Sequence, residues 1–233
     1  MTYVLHYAPD NASLIIRLAL EQLDVAYDTV LVDRGAQEQS SAGYRALNPN
    51  GLIPTLETPQ GAIFETGAIL LWLADTHGGV GPAPDDPARA DFLKWVFFLS
   101  NTVHPAQRMM FYPDQYIGDD TAHQAALRHG VQKALHGHFN ILNELLCQRP
   151  TWAANLRPSV FDFYLCGLLR WPAIYPADQD RSWFDLTNYP ALSDLCAHVE
   201  TLPVCACLQT LDGLGKHPFT TPAPATPSCG SAT

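Results

Sequence analysis

Three short stretches of this sequence place side chains and backbone groups where they could do chemistry. The first is Tyr7-Ala8-Pro9-Asp10-Asn11-Ala12-Ser13-Leu14, a passage from a strand-like run into a helical one. A hydroxyl or amide at the start of that helix could stabilise a bound thiolate by hydrogen bonding and through the helix dipole. Ser13, Asn11 and Tyr7 are the candidates, although Ser13 or Asn11 could equally be a helix cap and Tyr7 a packed strand residue. The second stretch is Ile53-Pro54, where an extended residue precedes proline in a turn. In the cis form the backbone N–H and C=O of Ile53 would face outward and could hold a peptide antiparallel; in the trans form the proline only ends a loop. The third is Glu65-Thr66-Gly67 at a helix start. There Thr66 could cap the first-turn N–H groups, those groups could take a carboxylate, and Glu65 could pair with an ammonium.

The elements that must carry these groups follow from periodicity. An apolar run at Tyr3 to Tyr7, a helical pattern through Leu14, Leu18 and Leu23, and a β-rich run at Tyr27 to Val32 make a βαβ unit. A polar connection leads to Asn48-Pro49-Asn50-Gly51 and a short strand, with a second strand at Ala62 to Phe64 across the hairpin turn Pro59-Gln60-Gly61. The helix opened by Glu65-Thr66 has an apolar face of Ile69, Leu70 and Leu73 and ends at His77-Gly78-Gly79, so βαβ then ββα is complete by about residue 77. Residues 78–87, with Pro82, Pro84 and Pro87, read as a linker. Beyond it the patterns are helical: Ala88 to about Met110, Thr121 to Cys147, Ser159 to Trp171 and Pro190 to Leu202. Residues 88–217 therefore read as an all-helical domain, and the Pro/Thr/Ser/Ala-rich tail 218–233 as disordered.

Composition narrows the partners. An apolar fraction of 47% over 233 residues fits a globular chain with a real core. Thirteen basic against twenty-three acidic residues leave a formal charge of -10, which argues against a nucleic-acid partner. The sequence from Met1 to Asn11 suits neither a signal peptide nor a membrane span, so the expected setting is cytoplasmic, with no membrane partner. The six cysteines, at 147, 166, 196, 205, 207 and 229, are expected to be reduced structural thiols. Cys205-Ala206-Cys207 lacks a second pair at ligand spacing, so no metal is expected.

Together the three stretches resemble the glutathione transferase superfamily over about residues 3 to 211. Asn48-Pro49-Asn50-Gly51-Leu52-Ile53-Pro54-Thr55-Leu56 is similar to its Asn-Pro-x-Gly-x-Val-Pro-x-Leu segment, and Glu65-Thr66 before Ala68-Ile69-Leu70 to its Glu-Ser-x-Ala-Ile helix start. Ser159-Val160-Phe161-Asp162 resembles its capping box, with Phe161 where a small residue is usual. The resemblance implies a thioredoxin-like N-terminal domain, an all-helical C-terminal domain and a homodimer. It also implies glutathione as co-substrate: Ile53 and Pro54 at the cysteinyl backbone, Glu65 and Thr66 at the γ-glutamyl end, and the thiol at the first turn. Tyr7-x-Pro9, Val103-His104 and Leu169-Arg170-Trp171 look most like the bacterial beta class, but Ala12 stands where that class has a cysteine. Ser13 is then the first choice of thiol partner, with Asn11 and Tyr7 open. His104 resembles the beta-class histidine facing the thiol, or else is a core residue; His136 and His138 are expected to be solvated. The implied activity is conjugation of glutathione to a hydrophobic electrophile bound by Trp95, Phe98, Met109, Met110, Phe111 and Tyr112, which otherwise belong to the core or an interface. A non-catalytic glutathione-binding protein and a glutathione-dependent isomerase or peroxidase are the alternatives.

Overall fold

A computed structural model describes residues 2–153 and 157–231; residue 1, residues 154–156 and the last two positions of the tail lie outside it. Strand β1 (Tyr3–Tyr7), helix α1 (Ser13–Gln22) and strand β2 (Tyr27–Leu31) form a parallel βαβ unit. Strands β3 (Thr55–Thr58) and β4 (Gly61–Phe64) add an antiparallel hairpin on the other side of β1, giving the order β2-β1-β3-β4. Leu5 lies opposite Leu56 in that register and both are fully buried. A one-residue slip would turn these leucines to the other face, so the burial pins the pairing. Helix α3 (Thr66–His77) packs beside α1, completing a thioredoxin-like unit.

The polar connection before β3 carries structure that periodicity did not reveal. A 3-10 turn at Glu38–Ser40 leads into helix α2 (Ala42–Leu47), whose N-cap Ser41 accepts a hydrogen bond from the backbone N–H of Tyr44. Asn48 then ties the following turn: its side chain donates to the Leu52 carbonyl at 2.7 Å and accepts from the Asn50 N–H at 3.1 Å. Gly51 sits at φ 62°, where a Cβ would come within 2.7 Å of the Gln39 carbonyl oxygen, so only glycine fits.

The rest is helical: α4 (Arg89–Phe98), α5 (His104–Phe111), α6 (Asp114–Ile117), α7 (Thr121–Cys147), α8 (Val160–Ile174), α9 (Pro190–Glu200) and α10 (Cys205–Leu211). The single helix expected from Ala88 to Met110 is instead interrupted by a π-helical turn at Leu99–Val103. Pro105 accounts for it. Proline has no N–H to offer the Asn101 carbonyl and its ring crowds that oxygen, so the ladder widens and the His104 N–H reaches back to Leu99. Helix α8 runs through the middle of this half, almost wholly buried, and starts with the expected capping box: the Ser159 N–H donates to the Asp162 carboxylate at 2.7 Å. Gly167 of α8 lies directly against Ile15 of α1.

The tail was expected to be disordered; its first residues are instead tied to the helices, while most of its described residues beyond 220 are exposed. Phe219 is 1% exposed, Glu200 accepts from the N–H groups of Phe219 and Thr220, and the Thr226 N–H donates to Gly213. Composition does not reveal this because what holds the tail is two charged side chains, Glu200 and Arg170, and one aromatic anchor, Phe219, not a periodic apolar face. The six cysteines are free. Burial pushes the Cys205 and Cys207 thiols up to about 12 and raises that of Cys166 well above its ordinary value, so they stay protonated at neutral pH. Among the described residues no single helix is long and apolar enough to cross a membrane; α9 and α10 pass only as a pair bent by 73°, with their apolar faces buried.

Candidate functional site

A cleft of about 1020 Å³ lies between the thioredoxin-like unit and the helices. Its floor is built by the two helix starts and the loop before β3. Asn11 and Ala12 enter at the start of α1, Ile53 and Pro54 from the braced loop, and Glu65 and Thr66 at the start of α3. The Ile53–Pro54 bond is cis. Glu65 occupies the N-cap position of α3 at φ 70°, a backbone region that an unbranched glutamate seldom adopts. No side chain caps α3, so the capping role open to Thr66 is not used; Thr66 is the first helical residue and is buried.

The three candidates at the first turn separate cleanly. Ser13 is 1% exposed, and its hydroxyl donates to the Ala8 carbonyl at 3.0 Å while accepting from the Ala8 N–H at 3.3 Å. Both functions of the hydroxyl close the turn, and Ser13 is absent from the cleft wall. Tyr7 is absent from it as well: its ring lies under the Arg17 guanidinium, 4.8 Å from the centroid, and burial raises its phenol pKa. Asn11 does line the cleft, and its buried Oδ1 has no hydrogen-bond partner among the described residues. Gln39 Oε1, also on the cleft, is likewise without one.

The opposite wall comes from α5 and α8. The π-helical turn rotates His104 into the cleft, where Nδ1 shares a 2.9 Å hydrogen bond with the Tyr164 hydroxyl and the ring lies 5.7 Å from that of Trp171. Burial first, and the Arg108 charge second, lower the His104 pKa to about 4. Burial and the Glu65 charge raise that of Tyr164. Phe111 and Tyr112 line the cleft. Trp95, Phe98 and Met109 do not: Trp95 packs edge-on to Phe98 at 5.6 Å, Phe98 meets His138 of α7 at 5.5 Å, and Met109 packs on the core. Met110 is a core residue. The break at Leu99–Val103 changes which face of α5 looks inward, so the expected stripe from 95 to 110 is not continuous. Ser159 and Asp162 remain structural, away from the cleft.

Several residues of the site went unnoticed in the sequence. Tyr164, Trp171 and Tyr175 line the cleft at helical spacing along α8 and just past its end. That stripe was the signal available. Asp10 is the other. Its carboxylate accepts from Arg170 Nε and Nη2, both at 2.8 Å, from Trp171 Nε1 at 3.1 Å and from the Tyr175 hydroxyl at 2.8 Å. Arg170 in turn donates to the carbonyls of Pro218 and Ala223 in the tail. The turn bearing Asn11 is thus bolted to α8 and, through it, to the tail.

Residues 12–76 match the family described as glutathione S-transferase, N-terminal domain. The chain is also 28% identical over 169 residues to glutathione S-transferase GST-4.5 of Xanthomonas campestris pv. campestris, covering 72% of this chain and 81% of that one. A sphingomonad glutathione S-transferase solved in complex with glutathione superposes with a TM-score of 0.73 at 26% identity, over 88% of this chain and 96% of the other. Residues 12–76 thus match a glutathione S-transferase N-terminal domain, and over most of its length the chain is similar to glutathione transferases in sequence and fold. The chain is also similar to the maleylacetoacetate isomerase of Rhizobium meliloti, 27% identical over 85% of this chain and 92% of the isomerase.

Proposed function

We propose that this chain is a member of the glutathione transferase superfamily that binds glutathione along the cleft and conjugates it to an electrophile with a hydrophobic body. The observation that carries the reading is the convergence of Asn11, Ile53, Glu65, Thr66 and His104, drawn from both halves of the chain, on one cleft. The donor set suits a γ-glutamyl tripeptide. The uncapped start of α3 takes a carboxylate, the exposed Glu65 carboxylate takes an ammonium, and the Ile53 backbone pairs with the cysteinyl unit. The unpartnered oxygens of Asn11 and Gln39 await donors.

Asn11 is then the thiol partner in place of Ser13, donating its amide N–H to the sulfur at the positive end of α1. A free thiol of pKa about 8.5 is only slightly ionised at neutral pH, so stabilising the thiolate and fixing it near the electrophile are the site's two services. His104 holds no proton at pH 7, and a ring of pKa about 4 is a weak base. It serves as a hydrogen-bonding wall oriented by Tyr164 rather than as the proton acceptor. The division at residues 78–87, a homodimer and a cytoplasmic setting belong to the same reading.

Calorimetric titration with glutathione, with thiolate absorbance followed against pH, tests it. Binding with a lowered thiol pKa that Asn11→Ala abolishes, with kcat/KM falling about a hundredfold, is the expected result. No binding would sink the reading. A second reading, glutathione-dependent isomerisation, is favoured by the length of the match to the isomerase; turnover of a cis-enone without net consumption of glutathione would establish it. Binding without turnover in either assay would leave a glutathione-binding protein, consistent with Ala12 in place of the beta-class cysteine.

A further inference from the structure

The protein carries a formal charge of -10, yet Arg34, Arg45 and Arg108 all line the cleft. Among the described residues none of the three forms an ion pair. Two of them meet at one side chain. Arg34, from the thioredoxin-like unit, donates to the Tyr112 hydroxyl at 3.1 Å. Arg108, on α5, has its guanidinium carbon 5.5 Å from the Tyr112 ring centroid and donates to the Gln115 amide oxygen at 2.8 Å. Both are half-buried and are satisfied only by neutral groups. A guanidinium is a fork suited to a carboxylate, and one shielded from bulk water without a counter-charge favours an anionic ligand. Of the acidic residues on the same cleft, Asp10 is committed to Arg170 and Glu65 stands at the start of α3. Asp178 lies past the end of α8, its carboxylate accepting from Gln179. The Arg108 charge is also the one that His104 feels.

We propose that the second substrate carries a carboxylate on its hydrophobic body, and that Arg34 and Arg108, one from each half of the chain, grip it at the Tyr112 ring. This rests on the conjugation reading above and names its substrate class. Arg108 lies one helical turn beyond His104 on the same face of α5, so the carboxylate is held about one turn along the cleft wall from His104. Phe111 offers the apolar surface beside it.

The probes are para-chloro-meta-nitrobenzoate and its carboxamide. In each, the glutathione thiolate attacks the chlorine-bearing carbon; the C–S bond forms, the C–Cl bond breaks, chloride leaves with the electron pair, and the thiol proton goes to solvent. With kcat/KM normalised to the uncatalysed rates, the acid is expected to be preferred about tenfold at low salt. Arg34→Gln and Arg108→Gln each bring the ratio toward one, and added salt does the same. Dissociation constants of the two probes without glutathione should show the same order. A ratio near one, or a ratio neither variant moves, overturns the proposal. So does a rise in the glutathione dissociation constant with the acid-to-amide ratio unchanged, since the arginines would then serve the glycyl carboxylate. Failure of glutathione to bind, with the acid still preferred as a free ligand, would sink conjugation and leave the anion site standing.

Discussion

Ser13 and Asn11 stand two positions apart, and what each side chain touches assigns them different work. The Ser13 hydroxyl is wholly used in closing the turn onto Ala8, so Ser13→Ala should lower stability by about 1–2 kcal/mol in urea denaturation and leave the thiol pKa of bound glutathione in place. A thiol pKa that moves with Ser13→Ala but not with Asn11→Ala would reverse the assignment. Residue types alone could not separate the two, because a serine at a helix start is a good cap and a good ligand in equal measure. Only the direction of its hydroxyl decides, and that direction is set by a turn whose carboxylate, Asp10, is held from far along the chain. His104 gives a second test. Its folded pKa of about 4 lies below the ordinary 6.5, so the native ring stays neutral where the unfolded ring takes up a proton. The stability this supplies is present above pH 6.5 and is lost as pH falls toward 4, by no more than about 3 kcal/mol. Burial pushes the Asp212 carboxyl up to about 6 against the pull of Arg17, which contributes with the opposite sign, so the comparison is between the protein and His104→Gln. The variant's unfolding midpoint should fall less steeply over that interval; parallel curves would refute the assignment.

At the scale of elements, strong periodicity was read well and interruptions were not. The sheet, α1, α3 and the long helices were legible because alternation and helical spacing follow directly from which face is buried. The break before His104 was not read, though Pro105 was the available sign, and with it went the placement of Trp95, Phe98 and Met109. Helix α2 was missed because six residues of mixed polarity give no period to count. Gly167 shows how contact between two elements can override propensity. Alanine in a helix interior ordinarily gains about 1 kcal/mol over glycine. Here a Cβ would lie 2.8 Å from Ile15 Cγ1 and 2.9 Å from its Cδ1, inside a fully buried contact between α1 and α8. Gly167→Ala is therefore expected to destabilise by about 1–2 kcal/mol, and Ile15→Val, which removes the Cδ1 atom, should recover part of that loss in the double variant. A stabilised single variant would mean that the two helices are free to part.

Across the whole molecule, one chain of buried contacts runs from the tail through Arg170 to Asp10 and the turn that presents Asn11. Removing one partner of a buried, hydrogen-bonded charge is strongly destabilising, typically by about 3–5 kcal/mol. Ending the chain after His217 strips two carbonyls from Arg170 and removes the buried Phe219 ring as well, so a loss of about 3–5 kcal/mol is expected, with a weaker affinity for glutathione measured alongside the urea midpoint. Unchanged affinity in the shortened chain would show that the turn is held by Asp10 and α8 alone. The charge balance is another property of the whole chain that misleads when read as an average: the net value is acidic, while three arginines with no ion-pair partner among the described residues line one cleft.

The same chain of contacts bears on the order of synthesis. During translation Asp10 emerges early, but the groups that fix it arrive only with Arg170, Trp171 and Tyr175, and the carbonyls that complete Arg170 come later, with Pro218 and Ala223. A nascent chain can assemble its sheet long before it can set the turn on which Asn11 is carried. Competence to bind is thus expected to appear abruptly, once residues 218–223 have emerged.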